Sequence, residues 1–199
     1  GDDSLLGEIG DDTLYGGSGN DTLTGGADND LFKATSYNDG NDIIDGDLVT
    51  NSGIDTIDYS VITNNIYHLE VNLTAGNLYI KDSTTTPLQT DTLKNIENVT
   101  GTSGEDTFVG DSENNVFDGK SGNDTVSYSN ITGTTAITID LKNDTATGDG
   151  TDTLTSIENA IGGAGDDKII VSTDVELNVL DGGSSGTDTV SYENYSTAV

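Results

Sequence analysis

Four aspartates near the start of the chain, Asp3, Asp12, Asp21 and Asp30, stand nine residues apart. The first three each have a glycine two places before them. Calcium takes six to eight oxygen ligands from carboxylates and backbone carbonyls. Glycine gives a turn the backbone freedom to fold tightly enough for its carbonyls to face one ion. The spacing and the residue types therefore predict a series of turns that bind several calcium ions as cofactor.

Short strands are the elements that must position these turns. The sequence runs as GEIGDDTLY (7–15), GGSGNDTLT (16–24) and GGADNDLFK (25–33), which follows the template G-G-x-G-x-D-x-U-x with U a large apolar residue. Side chains alternate between the two faces of a strand, so the apolar residue at position eight is expected to point inward. A glycine-rich turn followed by a short strand, repeated at a fixed period, predicts an all-β parallel β-helix or β-roll solenoid.

These motifs resemble the RTX, or haemolysin-type, calcium-binding repeats of secreted bacterial proteins. The resemblance is strongest over 1–33 and is clear over 101–128 and 162–192. It implies that two nonapeptides make one coil and that each ion lies between turns i and i+2. Asp3 would then partner Asp21, and Asp12 would partner Asp30. The family includes segments of type I-secreted adhesins and the C-terminal modules of serralysin-like enzymes.

The candidate metal ligands are the acidic residue at position six of each turn and the residues, mostly glycine, at positions two and four. Asn115 replaces the position-six carboxylate, so its turn is expected to bind calcium weakly or not at all. The full candidate set is Asp3, Gly10, Asp12, Gly17, Gly19, Asp21, Gly26, Asp28, Asp30, Gly40, Asp42, Gly53, Asp55, Gly104, Asp106, Gly122, Asp124, Gly163, Gly165, Asp167, Gly186 and Asp188.

A longer repeat of about 65 residues follows the plain nonapeptides. The stretch GIDTIDYS beginning at Gly53 returns as GNDTVSYS and as GTDTVSYE, and TDTLKNIEN beginning at Thr90 returns as TDTLTSIEN. These matches divide the chain into a nonapeptide calcium β-roll at 1–59, a first long unit at 60–128, a second at 129–192 and the start of a further unit at 193–199.

Each long unit begins with an insert, at about 60–98 and 129–159, in which apolar and polar residues alternate as in half-buried strands. We interpret the inserts as widened coils of the same solenoid, with longer strands than a nonapeptide allows. The alternative is a small β-hairpin that stands off the roll.

Composition limits the possible partners. The chain has 199 residues, of which 36 are acidic and 6 basic, giving a net charge of −30. Such self-repulsion opposes compaction unless counter-ions neutralise it. The charge argues against nucleic acid as a partner, and the lack of a long apolar window argues against membrane insertion. Because there is no cysteine, metal rather than disulfide is expected to stabilise the fold.

Catalysis is not expected of this chain. His68 is its one histidine, and no nucleophile motif accompanies it. Glu97 and Glu158 recur in the same Ile-Glu-Asn context, where they could act as paired acid and base. We favour instead a role for each Glu in capping a turn or adding one ligand to a calcium ion.

The expected function is a calcium-binding structural segment of a large secreted or cell-surface bacterial protein, such as an adhesin or surface-layer protein. It would fold on calcium binding outside the cell. Its partners would be calcium, the rest of the parent polypeptide and the type I secretion machinery. The alternative is the C-terminal calcium and secretion module of a secreted metalloprotease, lipase or polysaccharide epimerase.

Overall fold

The computed structural model describes residues 1–47, 53–84, 86–171 and 178–192. Within these ranges the regular secondary structure is β-strand throughout, which confirms the all-β fold class. The predicted start of a further unit at 193–199 lies outside the described residues. The strands, in chain order, are β1 (Ser4–Ile9), β2 (Thr13–Leu14), β3 (Thr22–Ala27), β4 (Leu31–Lys33), β5 (Ile43–Asp47), β6 (Thr56–Asp58), β7 (His68–Asn72), β8 (Asn77–Lys81), β9 (Gln89–Lys94), β10 (Asn98–Thr100), β11 (Thr107–Val109), β12 (Val116–Asp118), β13 (Thr125–Ser127), β14 (Thr138–Asp140), β15 (Thr145–Thr147), β16 (Thr151–Thr155), β17 (Asn159–Ile161), β18 (Lys168–Ile170), β19 (Leu180–Asp181) and β20 (Thr189–Ser191).

The strands form two ten-stranded sheets, between which the chain alternates as a coil. Sheet A has the order β1-β3-β5-β9-β8-β7-β11-β13-β17-β19, and sheet B has the order β2-β4-β6-β10-β12-β16-β15-β14-β18-β20. In the plain part, Leu5 pairs with Leu23 in sheet A and Leu14 pairs with Phe32 in sheet B, all in parallel register. These registers are those of a coil made of two nonapeptides.

The hydrophobic core lies between the two sheets. Most three-residue strands bury only their middle residue, as Phe32 in β4, Phe108 in β11 and Phe117 in β12 do. The rings of Phe108 and Phe117 stack across the core with centroids 5.3 Å apart. Leu14, Leu23 and Phe32 are buried and Leu5 is partly buried, so the inward direction expected of position eight agrees with the structure.

The inserts stay within the sheets of the roll, as the interpretation of widened coils predicted, and the strands of the first are five or six residues long. The direction of the strands was not predicted for either of the inserts. The first is an antiparallel meander built into sheet A: β8 pairs antiparallel with β7 on one side and with β9 on the other. The outer strands rejoin the roll in parallel, β9 with β5 and β7 with β11. One pass of the chain therefore contributes three strands to a sheet instead of one, so the coil is widened within the sheet and this insert does not form a hairpin that stands off the roll.

The second insert repeats this arrangement in the opposite sheet. In sheet B, β15 pairs antiparallel with β14 and β16, while β16 pairs parallel with β12 and β14 with β18. Each meander adds two strands to one sheet. Because one lies in sheet A and the other in sheet B, the two sheets end with equal numbers of strands.

Substitution of Leu78 tests whether the meander shares the hydrophobic core of the roll. It lies on the middle strand β8 and is fully buried, whereas Leu88 is 39% exposed. We expect Leu78→Ala to lower the free energy of unfolding by about 2–5 kcal/mol, as for other buried leucines, because it leaves a cavity between the sheets. Leu88→Ala is the matched control and should change it by less than about 0.5 kcal/mol. Urea unfolding in saturating calcium measures both, and equal effects would mean that β8 does not share the core.

Candidate metal centre

The predicted position-six aspartates form two columns of main-chain to carboxylate hydrogen bonds along the roll. In one column the amide of Asp3 donates to Asp21 Oδ1 at 2.7 Å, and that of Asp21 donates to Asp42 Oδ1 at 2.9 Å. In the other, Asp12 N donates to Asp30 Oδ1 at 2.8 Å. The structure thus brings together the pairs Asp3 with Asp21 and Asp12 with Asp30.

The columns continue beyond the plain repeats. Asp30 N donates to Asp55 Oδ1 at 2.7 Å, Asp106 N to Asp124 Oδ1 at 2.7 Å, and Asp167 N to Asp188 Oδ1 at 2.9 Å. Every predicted position-six aspartate takes part in one of these bonds. Each carboxylate that accepts such a bond uses one oxygen to connect its coil to the preceding one, whereas Asp3 and Asp12 take part through their amides.

The second carboxylate oxygen lacks a hydrogen-bond donor at five of these aspartates. It is buried and unpartnered at Oδ2 of Asp12, Asp21, Asp30, Asp55 and Asp124. A buried polar group left unsatisfied costs about 1–3 kcal/mol, and more if it is charged. A divalent cation bound at these oxygens would remove that cost.

Glycine at position one of the turn leaves the space that each of these oxygens occupies. A Cβ on Gly16 would lie 2.5 Å from Asp21 Oδ2, and one on Gly25 would lie 2.2 Å from Asp30 Oδ2 and 2.7 Å from the carbonyl oxygen of Gly46. The predicted ligand set omitted these glycines, although the first G of the template marks most of them. They are Gly7, Gly16, Gly25, Gly46 and Gly119, and Gly101, Gly162 and Gly182 stand in the same way beside Oδ2 of Asp106, Asp167 and Asp188.

The predicted residues at positions two and four shape the turns through their backbones. Seven of the predicted glycines have positive φ: Gly10, Gly17, Gly19, Gly26, Gly40, Gly122 and Gly186. Exposed Asp28 also adopts this conformation, with φ 77°. A Cβ on Gly53, Gly104 or Gly165 would lie 2.0–2.1 Å from a carbonyl oxygen of the preceding coil, and one on Gly163 would lie 3.2 Å from Ile131 O. These residues keep the main chains of successive turns close together.

Side chains alone could not coordinate a metal ion in the part of the chain that the structure describes. In the described ranges, no three His, Cys, Asp or Glu side chains are grouped so that they could hold a metal ion. The coordination shell would have to combine carboxylates with backbone carbonyls, which is the mixture that calcium accepts. The convergence of Asp30 Oδ2 and Gly46 O beside Gly25 shows that the turns supply both kinds of oxygen.

Some turns fill this second position with their own donors. The amide of Thr102 donates to Asp106 Oδ2, and the amide of Gly163 donates to Asp167 Oδ2, each at 2.6 Å. Asn115 turns its own Nδ2 toward the carbonyl of Glu97 at 3.1 Å. Asn115 Oδ1 lies beside Gly110 and accepts the amide of Asp111 at 3.2 Å. The side chain therefore offers a cation neither a charge nor an oxygen without a donor, consistent with the expectation of weak binding there.

Two further aspartates, which were not predicted from the sequence, accept a hydrogen bond from a tyrosine hydroxyl at their second carboxylate oxygen. Asp91 on β9 and Asp152 on β16 continue the columns, since they accept the amides of Asp42 and Asn115 at 2.9 Å. Their second oxygens accept the hydroxyls of Tyr59 and Tyr128, respectively. The Asp-Thr-Leu motif that they share with the nonapeptides was the available signal. Each tyrosine ties the start of an insert to its last strand.

Burial and like charge raise the pKa values of the column carboxyls. Burial, followed by the charges of Asp106, Glu158 and Glu105, raises the pKa of Asp124 to about 8. Burial and the charge of Glu97 bring the pKa of Asp55 to about 7. The neighbouring negative charges that help to raise these pKa values also attract a cation.

Sequence comparison identifies the family of these repeats. Residues 1–32 and 96–128 match the family model of the RTX calcium-binding nonapeptide repeat, in four copies. These two stretches are similar to repeats that bind several calcium ions, and they indicate a calcium-binding segment of a bacterial protein. No curated protein matches the chain. In the described part of the chain, no helix is long and apolar enough to cross a membrane.

The raised pKa values predict that acid partly replaces calcium. Asp124 and Asp55 bind protons more tightly in the folded chain than in the unfolded chain. Their protonation therefore stabilises the metal-free fold at low pH, and this stability is lost as pH rises through about 7 and 8. In calcium-free buffer, β-structure measured by circular dichroism should decrease from pH 5 to pH 8.5. An increase over that range would contradict the carboxylate columns as the origin.

The variant Tyr128→Phe tests the hydrogen bond between the Tyr128 hydroxyl and Asp152. Tyr128→Phe leaves Asp152 Oδ2 buried without its tyrosine donor, so the free energy of unfolding in saturating calcium should fall by about 1–3 kcal/mol. The number of bound calcium ions should stay the same. Tyr15→Phe is the control, because Tyr15 is 52% exposed. Urea unfolding compares the two, and an unchanged Tyr128→Phe midpoint would show that this bond does not support the insert.

Proposed function

We propose that the chain is a structural segment of a large secreted or cell-surface bacterial protein, and that it folds when calcium binds outside the cell. The observation that carries the proposal is the row of buried aspartate oxygens without a hydrogen-bond donor along both edges of the roll. The proposed ligands are the position-six aspartates together with the backbone carbonyls of the glycine-rich turns.

Calcium binding is large enough to decide whether such a chain folds. Extracellular calcium modules have Kd values of roughly 10⁻⁴–10⁻³ M. At about 1 mM free calcium, one such site adds about 0.4–1.4 kcal/mol by mass action. Several sites together reach the size of a whole domain's stability, about 5–15 kcal/mol. With a net charge of −30, the chain would remain unfolded where calcium is scarce.

This coupling suits export through a type I secretion machinery, which we propose as a partner along with the parent polypeptide. Unfolded in the calcium-poor cytosol, the chain could be threaded, and it would fold after release. We propose the roll at 1–59 and the long units at 60–128 and 129–192 as its building blocks, since each long unit combines one meander with plain coils.

The second candidate is the C-terminal module of a secreted metalloprotease, lipase or polysaccharide epimerase. It rests on the same calcium chemistry, because RTX repeats occur in both kinds of parent. In either case the segment itself is structural, and we propose no catalytic role for His68, Glu97 or Glu158.

Calcium-coupled folding is tested by far-UV circular dichroism at pH 7.5. The chain should be largely disordered in chelator and should gain β-structure in millimolar calcium. Magnesium should act poorly, because it requires a small octahedral shell. A full β spectrum in chelator would contradict the proposal.

Asp21→Ala and Asn115→Ala are the matched variants for this experiment. Asp21 offers an unpartnered carboxylate oxygen, whereas Asn115 already uses its amide within the turn. Asp21→Ala should bind fewer calcium ions by titration calorimetry, and Asn115→Ala should keep the wild-type number. Equal losses would contradict the ligand assignment.

A further inference from the structure

Two turns of the roll are built differently from the glycine-rich ones. Between β9 and β10 only Asn95, Ile96 and Glu97 intervene, and between β16 and β17 only Ser156, Ile157 and Glu158. The buried residues on either side of these turns, Leu93 with Val99 and Leu154 with Ala160, are six positions apart. In the plain repeats the corresponding residues Leu14 and Leu23 are nine positions apart. The first residue of each short turn is left-handed, with φ 49° at Asn95 and 54° at Ser156, and the isoleucine is buried.

Each short turn stacks on a glycine-rich turn. The amide of Asp124 donates to Glu158 Oε2 at 2.8 Å, and the amides of Glu158 and Asn159 donate to Asp124 O at 3.1 and 2.8 Å. The glutamate thus takes the column position that an aspartate holds elsewhere. Its longer side chain compensates for the shorter turn.

The same contacts occur at the other short turn. Asp55 N donates to Glu97 Oε2 at 2.7 Å, and Glu97 N donates to Asp55 O at 3.2 Å. Two independent stretches of sequence therefore build the same junction between a glycine-rich turn and a short glutamate turn.

Oxygens converge beside one glycine in each junction. The position of a Cβ on Gly119 would lie 2.4 Å from both Asp124 Oδ2 and the carbonyl oxygen of Ser156. On Gly46 it would lie 2.2 Å from Asp55 Oδ2 and 2.0 Å from Asn95 O. Asp124 and Asp55 are fully buried, and their Oδ2 atoms have no hydrogen-bond partner.

We propose that Asp124, Ser156 and Glu158 hold a calcium ion in a mixed site, and that Asp55, Asn95 and Glu97 hold a second. Each site combines two carboxylates with a carbonyl of a left-handed residue, which is an oxygen set that suits calcium. The sites rest on the proposed calcium-binding function. They extend it to a turn that the G-G-x-G-x-D template does not contain, and they give the glutamate a charge-dependent role.

Glu158→Gln separates this role from simple capping. Glutamine keeps an oxygen that can accept the Asp124 amide but removes the negative charge. We expect calcium titration calorimetry to give one bound ion fewer for Glu158→Gln, one fewer for Glu97→Gln and two fewer for the double variant. Asp144→Asn is the control, because it removes an equal charge from an exposed turn of the second meander and should bind as the wild type does.

The outcomes distinguish this site from the general function. Wild-type ion counts and affinities in both glutamine variants would show that the glutamates only cap their turns and would overturn the proposal. A wild-type chain that binds no calcium would contradict the proposed function itself. Crystals of the wild-type chain soaked in terbium give a measurement that does not depend on the variants folding. We expect an anomalous peak between Asp124 Oδ2, Ser156 O and Glu158, and peaks only at the plain turns would overturn the mixed site.

Discussion

The structure depends on one recurring interaction, the hydrogen bond from the amide of one column residue to the carboxylate of the next coil. It fixes the spacing of successive coils, as between Asp3 and Asp21, and it brings an acidic side chain into a buried position. Because one carboxylate oxygen is used in this bond, the other is left facing the turn, as at Asp21 and Asp124. The geometry that stacks the coils is therefore the same geometry that accumulates negative charge. A chain built in this way needs a cation, a proton or another donor at each level of the column.

The molecule supplies that donor in several ways along its length. The plain turns leave the second oxygen open, the turns after the inserts use an amide of their own, as Thr102 does for Asp106, and the inserts use a tyrosine hydroxyl. Burial and the charge of Asp152 raise the pKa of Tyr128 far above its usual range, so this donor remains protonated. The need for calcium is thus distributed unevenly. The meanders and the turns at Thr102 and Gly163 that follow them carry internal replacements for it, whereas Asp55 and Asp124, which precede the meanders, and the regular array do not.

Much of this could be predicted from the sequence, because glycine and aspartate at fixed positions report directly on backbone conformation. The coil of two nonapeptides was implied by the resemblance to the RTX repeats, and the turns and the inward apolar residue followed from that pattern. The inserts did not, since alternation in Leu69–Val71 and Leu78–Ile80 is the same for parallel and antiparallel strands. The chain reverses at the turn that contains Gly76, with φ 66°, in the first insert and at the turn that contains Asp144, with φ 57°, in the second. Asp91 was missed because it lies within a strand and has Gln89 where the repeats have glycine. Asp152 was missed because it lies within a strand of the insert, although Gly150 stands two places before it as in the repeats.

The two meanders also determine how such units can be combined. The strand before the first insert, β6, lies in sheet B, and the strand before the second insert, β13, lies in sheet A. Between these two strands the chain crosses the core an odd number of times. Each added unit therefore lengthens the opposite sheet from its predecessor. A roll with one unit would carry two strands in one sheet with no counterpart across the core, leaving apolar residues uncovered. A second unit restores equal numbers of strands in the two sheets. Two units are thus the smallest addition that keeps the two sheets of this roll equal in length.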